Sequence, residues 1–456
     1  MRLPLPDLLA TRRGRLTAFF LLYVTEGIPL GFTATAVATQ MRRQGLGPAE
    51  IGVFVGSLYL PWAFKWIAGP IVDTIWSRKF GRRRTWIVSM QVLMILTLLI
   101  AIPVNFTTQL SLFTALILIH NAFGATQDVA IDALAVGVLQ PDERGVANGF
   151  MFGGATLGQT IGGSGALFLA AIMPFKLTYL FVAGSIGLIT LLVALPIREP
   201  LELAPVRAAG SRLVAIGGEL RTFVLEAWRT FRGSRAATLG LVFALLPTGA
   251  YALGLALQSN LAVELGLNDS KVAQLNLWST VISATGCIAG GWLSDRFGRR
   301  KTLGTFLFLT AIPTLWLAYA MQHAPWIHAI APNAPNRPIP PAELVMTFWV
   351  ACLVYNAFQG LYYGIQAALF MDITNPRVAA TQFTAYMAML NFVIFYTSSW
   401  QGFAITHWGY PATLALDAGL GMIGICVLPF LKLQKREGTP AEAGAPPGAA
   451  IPEGAI

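Results

Sequence analysis

Twelve stretches of this chain are apolar over a length that crosses a lipid bilayer: residues 16–38, 50–71, 86–104, 110–138, 147–172, 177–197, 237–262, 271–293, 303–321, 343–371, 380–405 and 410–431. A spanning helix needs about 20 such residues, and inside hydrocarbon only a helix or a closed barrel satisfies its own backbone. Just 11% of residues are charged, 55% are hydrophobic and the mean hydropathy is +0.63. A soluble chain carries roughly 25% charged residues. These features predict an all-α membrane protein of twelve transmembrane helices, with little length left for a soluble domain.

The basic residues set the orientation. Alternate loops, beginning with the N-terminus, hold 25 of the 31 Lys and Arg; the intervening loops hold five, and Lys65 alone lies within a span. Excess Lys and Arg mark cytoplasmic loops, so both termini are expected inside. The same distribution assigns the net charge of +10 to membrane topology and argues against nucleic acid as a partner. The longest internal break, Arg198 to Arg235, divides the spans into six and six. The expected organisation is an N-terminal six-helix bundle at 1–197, a cytoplasmic central linker at 198–236 and a C-terminal six-helix bundle at 237–432. A disordered cytoplasmic tail is expected at 433–456, where Ala, Gly, Pro and Glu dominate. Leu213 to Phe231 reads equally as an amphipathic helix on the inner leaflet or as a plain linker. Cys287, Cys352 and Cys426 lie far apart within apolar runs, as small core residues rather than a disulfide or metal site. Residues 1–15 are too polar and too broken by Pro for a cleavable signal peptide.

The two halves repeat each other. Gly69 and Asp73, closing the second span, recur 222 positions on as Gly291 and Asp295. Each pair precedes a basic cluster, Arg82, Arg83 and Arg84 in the first and Arg296, Arg299 and Arg300 in the second. Independently, Asn121-Ala122-Phe123 recurs 235 positions on as Asn356-Ala357-Phe358. Duplicated halves of parallel topology are a transporter arrangement, and the cassette from Gly291 to Arg300 resembles the loop motif of the major facilitator superfamily. Further segments narrow the resemblance: Glu26-Gly-Ile-Pro-Leu-Gly31, Trp62-Ala-Phe-Lys65, Phe80-Gly-Arg-Arg-Arg-Thr-Trp86, Ala125-Thr-Gln-Asp-Val-Ala-Ile-Asp132 and Glu143-Arg-Gly145. Together they resemble the peptide/acetyl-CoA transporter family, which includes AmpG-type muropeptide permeases and acetyl-CoA transporters. The likeness is strongest over residues 20–165.

Ionisable groups inside spans are costly and mark functional candidates. Asp128 and Asp132 are four residues apart, hence on one face of the fourth span. The repeat places Tyr363 and Ala367 at the matching positions of the tenth span, so these carboxylates do not belong to the shared plan. Asp128 is the leading candidate for proton coupling, against the plainer reading of a fixed ion pair. Glu26, beside Gly27 and Pro29 where a helix bends, is the second. Lys65 is expected to neutralise Asp128 or Glu26, or to attract an anionic solute. Asp132 is expected near the inner face, latched to Arg82, Arg83 or Arg84. Asp73, Asp295, Arg296, Arg299 and Arg300 are expected to act in gating, the acids beside helix N-termini. Gln127, Asn121, Asn356, Gln359 and Tyr362 are candidate cavity residues, although amides between helices are also ordinary glue.

The functional expectation is a secondary transporter of the inner membrane: a monomeric, proton-coupled symporter importing muropeptide-like solutes by alternating access. The resemblance equally admits acetyl-CoA, and a siderophore is a third choice, possibly by exchange. Gly158 is followed by Gln159, where antiporters of the superfamily tend to carry Gly-Pro, which favours symport. No cofactor is expected. An enzyme is disfavoured because neither metal-ligand spacing nor a nucleophile elbow is present.

Overall fold

The computed structural model describes residues 7–75, 77, 80–140, 143–199, 212–249, 251–374 and 379–431. The expected tail at 433–456 and residues 200–211 of the linker lie outside the described residues. The described residues are helical almost throughout. Its helices are α1 (Arg12–Arg43), α2 (Pro48–Thr74), α3 (Arg82–Ala101), α4 (Leu110–Val138) and α5 (144–170), followed by α6 (Lys176–Ala194), α7 (Arg212–Gly233), α8 (Arg235–Leu245) and α9 (Leu255–Glu264). Then come α10 (Asp269–Phe297), α11 (Arg299–Gln322) and α12 (Ala342–Ile373). The helical stretch Ala379–Val427 turns at Gly409 (φ 80°), a conformation suited to glycine, which divides it into α13 (379–408) and α14 (410–427). Among the described residues, nine helices are long and apolar enough to cross a membrane, that stretch counting as one.

Short polar side chains start several helices. Thr11 Oγ1 accepts from the Gly14 amide before α1 (3.1 Å) and Asn268 Oδ1 from the Lys271 amide before α10 (2.9 Å). The seventh apolar run, expected as one helix over 237–262, is broken between α8 and α9. Pro247 lacks the amide a continuing helix needs and Gly249 sits at φ 85°. π-helical turns interrupt α1 at Phe32–Val37 and α5 at Ile161–Gly165, and the two turns pack on each other. That approach depends on missing side chains: a Cβ on Gly162 would collide with the Ile28 carbonyl.

Packing joins α1 to α5 and α3 to α4 in the first set of helices, and α10 to α12 and α11 to α12 in the second. Besides α9 on α1 and α2, the sets meet along two seams, α2 against α13 and α5 against α10. At the first seam Gly52 lies on the Ser398 backbone and Gly402 on that of Pro48. At the second, Asn276 Nδ2 donates to Ser164 Oγ (3.1 Å). Both seams lie toward the end of the molecule where α1 finishes and α2 begins, called the distal end below; the opposite end is proximal.

Candidate functional site

The ionisable residues of the first helices converge on one place. α2 is irregular around Phe64, and a 3-10 turn at Lys65–Ile67 carries Lys65 toward α4. Its Nζ donates to Asp128 Oδ2 (2.6 Å) and lies 3.8 Å from Asp132 Oδ2. The Tyr23 hydroxyl, from α1, donates to Asp132 Oδ1 (2.5 Å). Glu26 lies one turn farther along α1; its Oε1 accepts from Trp62 Nε1 (3.3 Å) and its Oε2 is buried with no hydrogen-bond partner among the described residues. Asp128 is buried, whereas the Lys65 and Asp132 side chains stay 26% and 45% exposed. Three carboxylates therefore share one ammonium. Full ionisation would leave unbalanced charge in a low-dielectric setting, which is costly unless protons or a cation neutralise it.

Asp132 departs from the expected latch to Arg82, Arg83 or Arg84. Helical periodicity puts it on the Asp128 face, toward Lys65 and Tyr23. The arginines turn elsewhere. Arg82 Nη2 donates to Asp73 Oδ1 (3.2 Å), Arg83 is ion-paired with the same carboxylate, and the amides of Arg83 and Arg84 donate to the Glu199 carboxylate. In the second copy Arg299 Nη1 donates to Asp372 Oδ2 (2.5 Å), Arg300 Nη1 to the Leu431 carbonyl (2.9 Å), and the Arg296 guanidinium lies 5.8 Å from the Trp292 ring centre. The backbone of Asp295 lies in α10, and its side chain is outside the described residues.

The candidate cavity residues divide. Gln127, Asn121 and Tyr362 are buried in this conformation, and Gln127 Nε2 donates to Thr25 Oγ1 (3.0 Å). Neither amide atom of Asn121 has a hydrogen-bond partner among the described residues. Asn356 and Gln359 are half-buried, donating to the Cys352 carbonyl (2.8 Å) and accepting from Ser283 Oγ (2.7 Å) respectively.

Two features had escaped sequence reasoning. The first is a seal at the distal end. Arg42, at the end of α1, is ion-paired with Glu264 at the end of α9, both buried; Arg42 Nη2 also donates to the Ile330 carbonyl (2.8 Å). Beside it Arg43 Nε donates to Asp269 Oδ1 (2.5 Å) and Gln40 Nε2 to Asp269 Oδ2 (2.9 Å). Arg337 Nη2 donates to the Glu264 carbonyl (2.5 Å). The bonds of Gln40, Arg42 and Arg43 tie the first set of helices to the second. At the proximal end the ion pairs among the described residues stay within one set: Arg15 with Glu143, Asp73 with Arg82 and Arg83, Arg299 with Asp372. The one available signal was that Arg42 and Arg43 form the only basic pair in the sparsely charged loops. The second feature is Asp417, buried in α14. Its Oδ1 accepts from Gln401 Nε2 (2.5 Å) and its Oδ2 from the Ala252 amide (2.9 Å), so it caps the break before α9.

Outside the spans, the Arg15 guanidinium donates to the Glu143 carboxylate (2.9 and 2.5 Å). This bonding lowers the Glu143 pKa.

Comparison with known proteins places this geometry. The profile of the Major Facilitator Superfamily matches residues 16–393 and again 239–453. The anhydromuropeptide permease of Escherichia coli K12 is 24% identical over 421 residues, covering 91% of this chain and 79% of that protein. A Rickettsia conorii protein described as a transporter, AmpG 4, is 26% identical over 317 residues, or 66% and 74% of the two chains. Among solved structures, a D-xylose–proton symporter superposes with a TM-score of 0.66 at 13% identity, covering 91% of this chain and 95% of that one. At that identity the likeness speaks for the fold alone.

Proposed function

The chain belongs to the Major Facilitator Superfamily, a family of transporters rather than enzymes, and from that premise we propose a proton-coupled symporter that imports muropeptide-like solutes. The observation that carries this reading is Lys65, held between Asp128 and Asp132 with Glu26 nearby. A proton on Asp128 removes the counter-charge at 2.6 Å and frees the ammonium, which then meets a carboxylate of the solute. Proton and solute thus favour the same arrangement, and such differential contact is what shifts a conformational balance. Muropeptides carry carboxylates, and the relatives named as AmpG or anhydromuropeptide permease support this substrate class.

In this reading the protein crosses the bacterial inner membrane twelve times, with both termini cytoplasmic. The two bundles are 1–197 and 237–432, joined by 198–236. The distal end is then periplasmic, and the Arg42–Glu264 seal closes it, so the solute path faces the cytoplasm. Asp73 with Arg82 and Arg83, and Arg299 with Asp372, hold the proximal loops in that state.

Uptake by proteoliposomes under an imposed pH gradient tests the proposal, against a panel of anhydromuropeptide, acetyl-CoA and a siderophore. Asp128→Asn is expected to abolish gradient-driven accumulation while leaving solute binding measurable. Full accumulation by the variant removes Asp128 from coupling, and uptake of acetyl-CoA or siderophore alone replaces the substrate.

A further inference from the structure

α7 has three faces, and the bundle occupies only one. Ile216, Leu220, Phe223, Ala227 and Phe231 recur at helical spacing and are half-buried. On that face Phe223 stacks on Trp66 of α2 (ring centres 5.2 Å apart, 12° between planes), and Phe231 meets Tyr386 of α13 (5.7 Å, 64°). The helix therefore rests on both sets of helices at the proximal end. Roughly 100° round its axis, Val214, Val224, Leu225 and Trp228 stand exposed, Val214 by 74% and Trp228 by 61%. Arg221 and Arg232 share this second face, with the Arg232 guanidinium 5.4 Å from the Trp228 ring centre. The third face presents Glu219, Thr222, Glu226 and Arg229 to solvent.

We infer that the second face of α7 is a binding surface for the headgroup region of anionic phospholipid. Apolar side chains in line with arginines, next to a separate polar face, are the pattern of a helix lying in a membrane interface. The exposed indole suits headgroup depth, and both arginines reach up to phosphate while their stems cover apolar surface. Chain connectivity fixes the height: Gly233 and Ser234 lead directly into the apolar helix α8, so α7 is tethered at the membrane surface. The cytoplasmic leaflet follows from the topology proposed above; contact with lipid does not depend on it.

Nitroxide labels on the full-length protein, with the native cysteines replaced, test this in vesicles of phosphatidylcholine with and without phosphatidylglycerol. Labels at 214, 224 and 225 are expected to be several-fold more accessible to oxygen than to an aqueous nickel chelate when phosphatidylglycerol is present. Labels at 219 and 226 are expected to show the reverse. Replacing both Arg221 and Arg232 by Gln is expected to abolish the difference between the two lipid mixtures. Equal aqueous accessibility of all five positions overturns the proposal. So does protection of 214, 224 and 225 from both reagents, which marks a protein partner or second copy, and so does depth that ignores lipid charge and the arginines. Because both leaflets of these vesicles match, an error in topology leaves the readout unchanged and appears instead in labelling by impermeant reagents.

Discussion

The first and second sets of helices share a plan and differ in their charges. On α4, Asp128 and Asp132 face Lys65 from α2, with Glu26 from α1 close by. On α12 the matching positions hold Tyr363 and Ala367. Apart from Glu264 of the distal seal, the second set buries Asp417, which comes from a different helix and is held by an amide side chain and a backbone N–H rather than a cation. One region gathers charges that can trade partners. The other fixes a single charge to shape a helix break. Duplication thus supplied two frames, and among the described residues the first gathers three carboxylates around one ammonium.

The largest effect is expected at the one shared cation. Lys65→Met leaves three acids without an ammonium and should abolish uphill transport and destabilise the protein by about 3–5 kcal/mol, the usual cost of orphaning a buried charge. Adding Asp128→Asn should recover part of that loss in thermal unfolding; no recovery would mean that the two side chains are not energetically coupled. Next comes the distal seal. Glu264→Gln strands Arg42 and should raise the reactivity of a cysteine placed at position 266 toward an impermeant thiol reagent, while proximal positions become less reactive. An unchanged pattern would remove the ion pair from the conformational balance.

Asp417→Asn tests the second set of helices. Asn keeps an acceptor for the Ala252 amide, so a stability loss of about 1.5–3 kcal/mol, the range for hydrogen bonds to charged groups, should leave pH-driven accumulation intact. Loss of coupling would show that both sets titrate and would end the contrast drawn here. The smallest effect is expected at Glu143. Its lowered pKa means that its clip to Arg15 stabilises the fold above the ordinary carboxylate range and is lost as pH falls through the folded-state value. The difference in unfolding temperature between wild type and Glu143→Gln should therefore shrink on acidification.

Much of this was legible in the chain itself. The transporter family follows from Gly69, Asp73, Gly291 and Asp295 with their basic clusters, and the partnership of Lys65 with Asp128 follows from two ionisable groups in neighbouring spans. What stayed hidden depends on tertiary register. Arg42 and Arg43 lie more than two hundred residues from Glu264 and Asp269, and that separation says nothing about which helix ends touch. Depth alone points Asp132 to Arg82, Arg83 or Arg84, whereas the periodicity of α4 sets it on the Asp128 face, where it lies beside Lys65 in this conformation. The break between α8 and α9 had its signals in Pro247 and Gly249, outweighed by the surrounding apolar run. Asp417 has meaning only once α14 lies beside that break.

The buried pair of Arg42 and Glu264 has one more implication. Two ions that shed their hydration to meet recover it on parting, so the net cost of separating them is far below their mutual attraction. Such a joint is a poor padlock and a good alignment pin: it penalises every mismatched docking of the two bundles, while water itself helps to undo it when the cycle turns.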